Sequence, residues 1–148
     1  MIRLATVKDL NSVLELLQNF ARASALNYSE FASEDVKSAR AKLLELILKE
    51  YLVVAVDNSN IVGMIGAARE QDPWIASRTR IRELFWWVEP EHRQSRLSAS
   101  LFIRWQQDSD RWLAEGLVNQ VSLSTQPTTN IDLTTRGWHC IEQHWIKE

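Results

Sequence analysis

The sequence predicts an α/β fold built on a mixed sheet, and three observations carry that expectation. Apolar residues recur at helical spacing in three segments, Leu10 to Phe20, Val36 to Ile47 and Leu97 to Leu113. Two β-branched runs, Tyr51 to Val56 and Ile61 to Ala68, flank the turn-forming Asp57-Asn58-Ser59-Asn60 and therefore make an antiparallel hairpin. An aromatic strand, Leu84 to Val88, precedes a long helix and then a further alternating stretch, Leu117 to Thr125, and strand, helix and strand in that order imply a parallel crossover. Antiparallel and parallel pairs in one chain of 148 residues make a mixed sheet, and the length suits one domain spanning 1–148.

Each element has a local reason. Ile2 and Leu4 alternate as a short first strand, and Thr6-x-x-Asp9 reads as a capping box with aspartate in place of glutamate. The helix after it puts Leu10, Val13, Leu14, Leu17 and Phe20 on one face. Residues Ser24 to Ser33 read as a loop in which Tyr28 packs its ring on the domain or meets a substrate. Ser33 caps a second helix, with Glu34 and Asp35 at its positive end. After the hairpin, Gln71 to Thr79 forms a surface loop presenting Trp74. The third helix starts between Ser95 and Ser98 and stops at Gly116. Pro127 opens a short fourth helix through Thr135, and Trp138, Ile141, Trp145 and Ile146 mark a last strand.

Composition narrows the function. Apolar content of 45% and charged content of 24% are those of an ordinary globular chain. No apolar run is long enough to cross a membrane and the N-terminus lacks a signal peptide's apolar region, so a cytoplasmic protein is expected. The net charge of −2, with no basic stripe, argues against nucleic acid and anionic lipid as partners. His139, Cys140, Glu142 and His144 lack metal-ligand spacing, so no metal is expected. Seven tryptophans exceed what one core needs, which leaves aromatic surface for a pocket, a second copy of the chain or another protein.

The turn from His92 to Ser98 carries Arg93 and Arg96 beside the N–H groups that a first helical turn leaves unpaired. Such a turn suits an anion, and a phosphate or pyrophosphate best. Val88-x-Pro90-x-x-Arg93, followed by Leu97 and Leu101 on the helix, resembles motif A of the GCN5-related N-acetyltransferases. The order strand, helix, helix, strand, strand, strand, helix, strand, helix, strand resembles that family along the entire chain, and Gly137-Trp138 resembles its Gly-Phe segment. Arg93 matches the first position of the family's Gln/Arg-x-x-Gly-x-Gly/Ala loop, whereas Arg96 and Ser98 replace the glycine and the Gly or Ala.

The resemblance implies acetyl-CoA as co-substrate and an amine as acceptor. By position it implies backbone contacts to the pantetheine arm from Trp86, Trp87 and Val88 and phosphate contacts from Arg93, Gln94, Ser95, Arg96, Leu97 and Ser98. Gln126 stands where the family often has an asparagine that touches the cofactor. Acetyl transfer needs a base, and Glu83 is the only carboxylate within the central strand. The family's carboxylate falls at Arg82, so Glu83 serves only if a bulge shifts the register; otherwise it is a strand-end partner of Arg80 or Arg82. The family's proton-donating tyrosine is Leu133 here. Two readings stay open: an N-acetyltransferase, or a protein of the same fold that has lost catalysis and binds or builds. Short, glycine-poor members of this kind resemble those of tailed bacteriophages, which implies virion partners for the second reading.

Overall fold

A computed structural model describes residues 1–24, 31–125, 131–142, 145 and 147. Five strands, β1 (Ile2–Leu4), β2 (Tyr51–Asp57), β3 (Asn60–Gln71), β4 (Thr79–Val88) and β5 (Gln120–Ser122), form one sheet in the order β1-β2-β3-β4-β5. The first four are antiparallel neighbours, and β5 joins β4 in parallel. Helices α1 (Leu10–Ala23) and α2 (Ser33–Lys49) cover one face and α3 (Arg96–Ala114) the other. The mixed sheet expected from the sequence is therefore present.

Strand alternation sorts the core into two layers. Tyr51, Val53 and Ala55 point toward α3, where they meet Leu101, Phe102 and Trp105, while Leu52 and Val54 point toward Val13, Leu43 and Leu46 of the other two helices. Asp9 closes the turn before α1 as read from the sequence, its Oδ2 accepting the Thr6 N–H at 2.7 Å. Arg3 binds the same carboxylate and holds it down at a pKa of about 2. At α2 the cap differs by one residue: Ala32 is the N-cap and Asp35 accepts its N–H at 2.8 Å, so Ser33 is the first helical residue. Asn58 and Ser59 join β2 to β3 with φ of 45° and 72°, the left-handed pair that a two-residue hairpin turn demands.

The C-terminal part departs from expectation. Strand β5 spans three residues rather than nine. Residues 126–130, which include Gln126 and the start of the expected fourth helix, lie outside the described residues, as do Tyr28 and Ile146. In place of the rest of that helix stands a single 3-10 turn, Thr134–Arg136, ended by Gly137 at φ 82°. No sixth strand occurs among the described residues. Trp138 donates its Nε1–H to Gln106 Oε1 of α3 at 2.6 Å, so this segment docks on a helix instead of extending the sheet. Ile141 and Trp145 are largely exposed. Trp138, Ile141 and Trp145 recur at intervals of three and four, which is not the alternation of a strand, and a three-residue β5 offers little ladder to join.

One irregularity in the sheet shapes the candidate site. Gly66 opposes Phe85 and Ala67 opposes Glu83, so Leu84 is an extra residue in β4. The bulge reverses the alternation: Ile81 faces α3, but Phe85 and Trp87 face α1 and α2. Gly66 permits it, because a Cβ there would fall onto the ring of Phe85, which is only 6% exposed. Gly66→Ala is expected to cost about 1–3 kcal/mol by overpacking, offset by less than about 1 kcal/mol of reduced chain entropy, and a urea titration reads the net loss.

Candidate active site

Strands β4 and β5 pair only at Arg80 with Gln120, Ile81 with Val121 and Arg82 with Ser122. Beyond Arg82 no strand lies on this edge of β4 among the described residues, so a gap opens where the bulge begins. Glu83 sits at its apex. The side chain is 7% exposed, and its Oε2 accepts the N–H of Ser124 at 3.0 Å, just past the end of β5. Burial raises its pKa from 4.5 to about 7, against the opposing pull of that hydrogen bond and of Arg82. The two arginines that could have neutralised it are engaged elsewhere: Arg80 and Arg82 both reach Glu70, at 3.1 and 2.6 Å. Glu83 is left as a buried carboxyl with no salt bridge among the described residues.

The open edge continues along Trp86 and Val88. Glu89 donates its N–H to Val62 O at 2.9 Å, and backbone direction alternates in an antiparallel pair, so the groups of Trp87 also face β3, opposite Met64. Those of Trp86 and Val88 face the gap. Trp87 is thereby corrected as a source of backbone contacts. Its ring lies on the α1 side against Phe20, while the Trp86 ring stacks on Phe102 of α3 with centroids 5.2 Å apart.

The turn into α3 is held from several sides. Asn19 of α1 donates to Glu89 at 2.6 Å. Ser95 is the N-cap of α3; its Oγ donates to His92 O at 2.6 Å and accepts the Ser98 N–H at 3.2 Å. Arg93 folds back, giving its Nε–H to Val88 O at 3.0 Å and placing its guanidinium 4.5 Å above the centre of Trp87. The Val88 carbonyl is thus taken by the chain itself, leaving the Val88 N–H and both groups of Trp86 for a ligand. The N–H groups of Gln94, Arg96 and Leu97 have no partner among the described residues. The Leu97 side chain packs into the α3-side core, and Arg96, in the glycine position of the resembled loop, points to solvent. The side chain there does not fill the space in front of the helix.

That space is a cavity of about 320 Å³. Arg93 and Arg136 are its cations, Trp86, Phe102 and Leu133 its apolar wall, and no carboxylate among the described residues lines it. Arg136 lies with its guanidinium 5.6 Å from the centre of Phe102. Sequence reasoning missed Phe102 and Arg136. Phe102 lies four residues past Ser98 on the same helical face, a spacing that could have exposed it; Arg136 had no local signal. Leu133 stands beside the cavity as a purely apolar group. Two arginines, free N–H donors at a nineteen-residue helix and an open strand edge fit a cofactor with a pyrophosphate and an extended amide arm.

No protein-family model and no curated protein sequence matches the chain. Solved structures do. A possible acetyltransferase from Clostridium difficile 630 superposes with a TM-score of 0.70 at 16% identity, over 100% of this chain and 96% of that one. AAC(6')-Iy in complex with the bisubstrate analogue CoA-S-monomethyl-acetylneamine gives 0.70 at 15% identity, over 100% and 96%. A predicted acetyltransferase with acetyl-CoA from Clostridium acetobutylicum gives 0.73 at 12% identity, over 100% and 94%. The chain has the fold of the GCN5-related acetyltransferases.

Proposed function

We propose that the protein is an acetyl-CoA-dependent N-acetyltransferase acting on an amine. The observation that carries this reading is Glu83: a buried carboxyl with a pKa of about 7 and no salt bridge among the described residues, at the apex of the gap between β4 and β5. A structural carboxylate in a sheet is held by arginine; here the arginines sit on Glu70 and the carboxyl stays basic enough to take a proton near neutral pH.

Acetyl-CoA would supply the activated acyl group. Trp86 and Val88 would hold its amide arm as an added strand, and Arg93, Arg136 and the N–H groups of Gln94, Arg96 and Leu97 its phosphates. Glu83 would remove the proton from the acceptor ammonium, leaving a neutral amine to attack. Leu133 brings no proton to the departing sulfur, so the reaction relies on positioning and on the stability of a thiolate.

Thermal unfolding with and without acetyl-CoA tests the reading first. At about 100 times its dissociation constant a ligand adds roughly 2.7 kcal/mol, and the midpoint should rise by about 3–7 °C. No rise at saturating cofactor, checked by a direct binding measurement, would remove the enzyme reading and leave a binding or structural role.

A further inference from the structure

A second, larger cavity lies at the other end of α3, on the same side of the sheet but away from the free edge of β4. It holds about 480 Å³, within the range of small-ligand sites. Four cations surround it, Lys49, Arg69, Arg104 and Arg111, against the two carboxylates of Glu50 and Asp108. Four minus two leaves a local charge of +2 in a chain whose net charge is −2.

Both carboxylates are already committed. Asp108, 3% exposed, accepts Tyr51 Oη–H and Arg104 Nε–H on Oδ2, each at 2.7 Å, and meets an Arg111 terminal nitrogen at 2.9 Å on Oδ1. Glu50 accepts the backbone N–H of Arg69 at 3.0 Å. Satisfying the Tyr51 hydroxyl needs one carboxylate and accounts for neither the second arginine nor Lys49 and Arg69. Neither of those two side chains has a hydrogen bond or salt bridge among the described residues, Lys49 acting only at longer range on Glu45, and Arg104 keeps both terminal nitrogens free of hydrogen bonds there. Asp108 therefore acts as a clamp that aims two guanidinium forks along one wall of the cavity, while an ammonium and a third guanidinium stand on the rim. Like charges gathered in a concave site focus the field and favour an anion there, and planar forks match phosphate oxygens. The remaining surface is apolar, formed by Tyr51, Trp112, Ile81 and Ala67.

We infer that this cavity binds a small organic phosphate monoester, its phosphate held by Arg104, Arg111, Lys49 and Arg69 and its apolar body against Trp112. The inference is independent of the acetyl-transfer reading, because it uses none of the residues of the gap between β4 and β5.

Phenyl phosphate is the probe, followed through the indole N–H resonances of the 148-residue chain, with inorganic phosphate and phenol as controls. Phenyl phosphate should move the Trp112 indole saturably and bind about tenfold more tightly than inorganic phosphate, the scale of burying one ring face; phenol should not bind. Removing Arg104 or Arg111 would also expose the Asp108 network, so the decisive variant is Lys49→Ala with Arg69→Ala, two positions outside it. That variant should keep the wild-type melting midpoint and lose about tenfold in affinity, two rim charges at about threefold each. No saturable shift, equal binding of inorganic and phenyl phosphate, or undiminished affinity in the double variant would each overturn the inference.

Discussion

Glu83→Gln is expected to lower kcat for acetyl transfer by about 10²–10⁴-fold, the contribution of a positioned general base, and at the same time to make the protein harder to unfold above neutral pH. Both effects come from one cause. Burial raises the carboxyl from 4.5 to about 7, which means the folded chain holds the charged form at a cost. Linkage sets the sign. Below pH 4.5 the carboxyl is protonated in both states and there is no penalty; as pH rises toward 7 the unfolded chain ionises first, and stability falls until the folded carboxyl has ionised too. A shift of this size is worth up to about 3 kcal/mol. Glutamine removes that loss and its carbonyl still accepts the Ser124 N–H. Melting midpoints should therefore coincide near pH 4 and separate by pH 8, with the variant higher. The wild-type rate should rise with pH and level off above about 7. A rate unchanged by the substitution would remove Glu83 from the reaction, and coincident midpoints at pH 8 would show that its carboxyl is not desolvated.

Much of this site was legible before the fold was known, and the illegible parts share a character. The run Leu84 to Val88, the proline after it and the arginine turn announced a buried strand feeding a helix N-terminus, because burial and capping act locally. The register around Glu83 was not legible. A bulge is a relation between two strands, and the glycines of the facing strand, Gly63 and Gly66, suggest bulges or close packing without fixing which residue of β4 is extra. Arg93 shows the same limit: its charge marked the turn, but its bond to Val88 O and its place over Trp87 depend on where the strand ends in space. The tail misled for the opposite reason. Trp138, Ile141 and Trp145 are the bulky apolar residues a buried strand would use, yet their intervals of three and four lack a strand's period of two, and Trp138 finds its partner on α3.

Asp108→Ala should destabilise the fold by about 2–4 kcal/mol, from a buried hydroxyl losing its acceptor and two cations losing their common anion. By residue type Asp108 belongs with the polar side of α3; by angle it does not. It lies three residues after Trp105 and four before Trp112, on the buried stripe, and the aromatic rings of both pack against Tyr51. The carboxylate is tolerated there because Tyr51 and two arginines reach it. Burial, followed by the hydrogen bond to Asp108, raises the Tyr51 pKa, so the phenol remains a neutral donor. The arginines contribute less, since both keep side-chain surface in water and their attraction is screened. For a chain of this length the midpoint should fall by roughly 5–15 °C. Tyr51→Phe separates the parts: it removes the donor but leaves Asp108 its cations, and should cost only about 0.5–1.5 kcal/mol. In the double variant the hydroxyl that Asp108→Ala strands is gone, so the combined loss should be smaller than the sum of the two. Additive losses would mean that the Tyr51–Asp108 bond contributes nothing, and that the helix is held to β2 by ring packing alone.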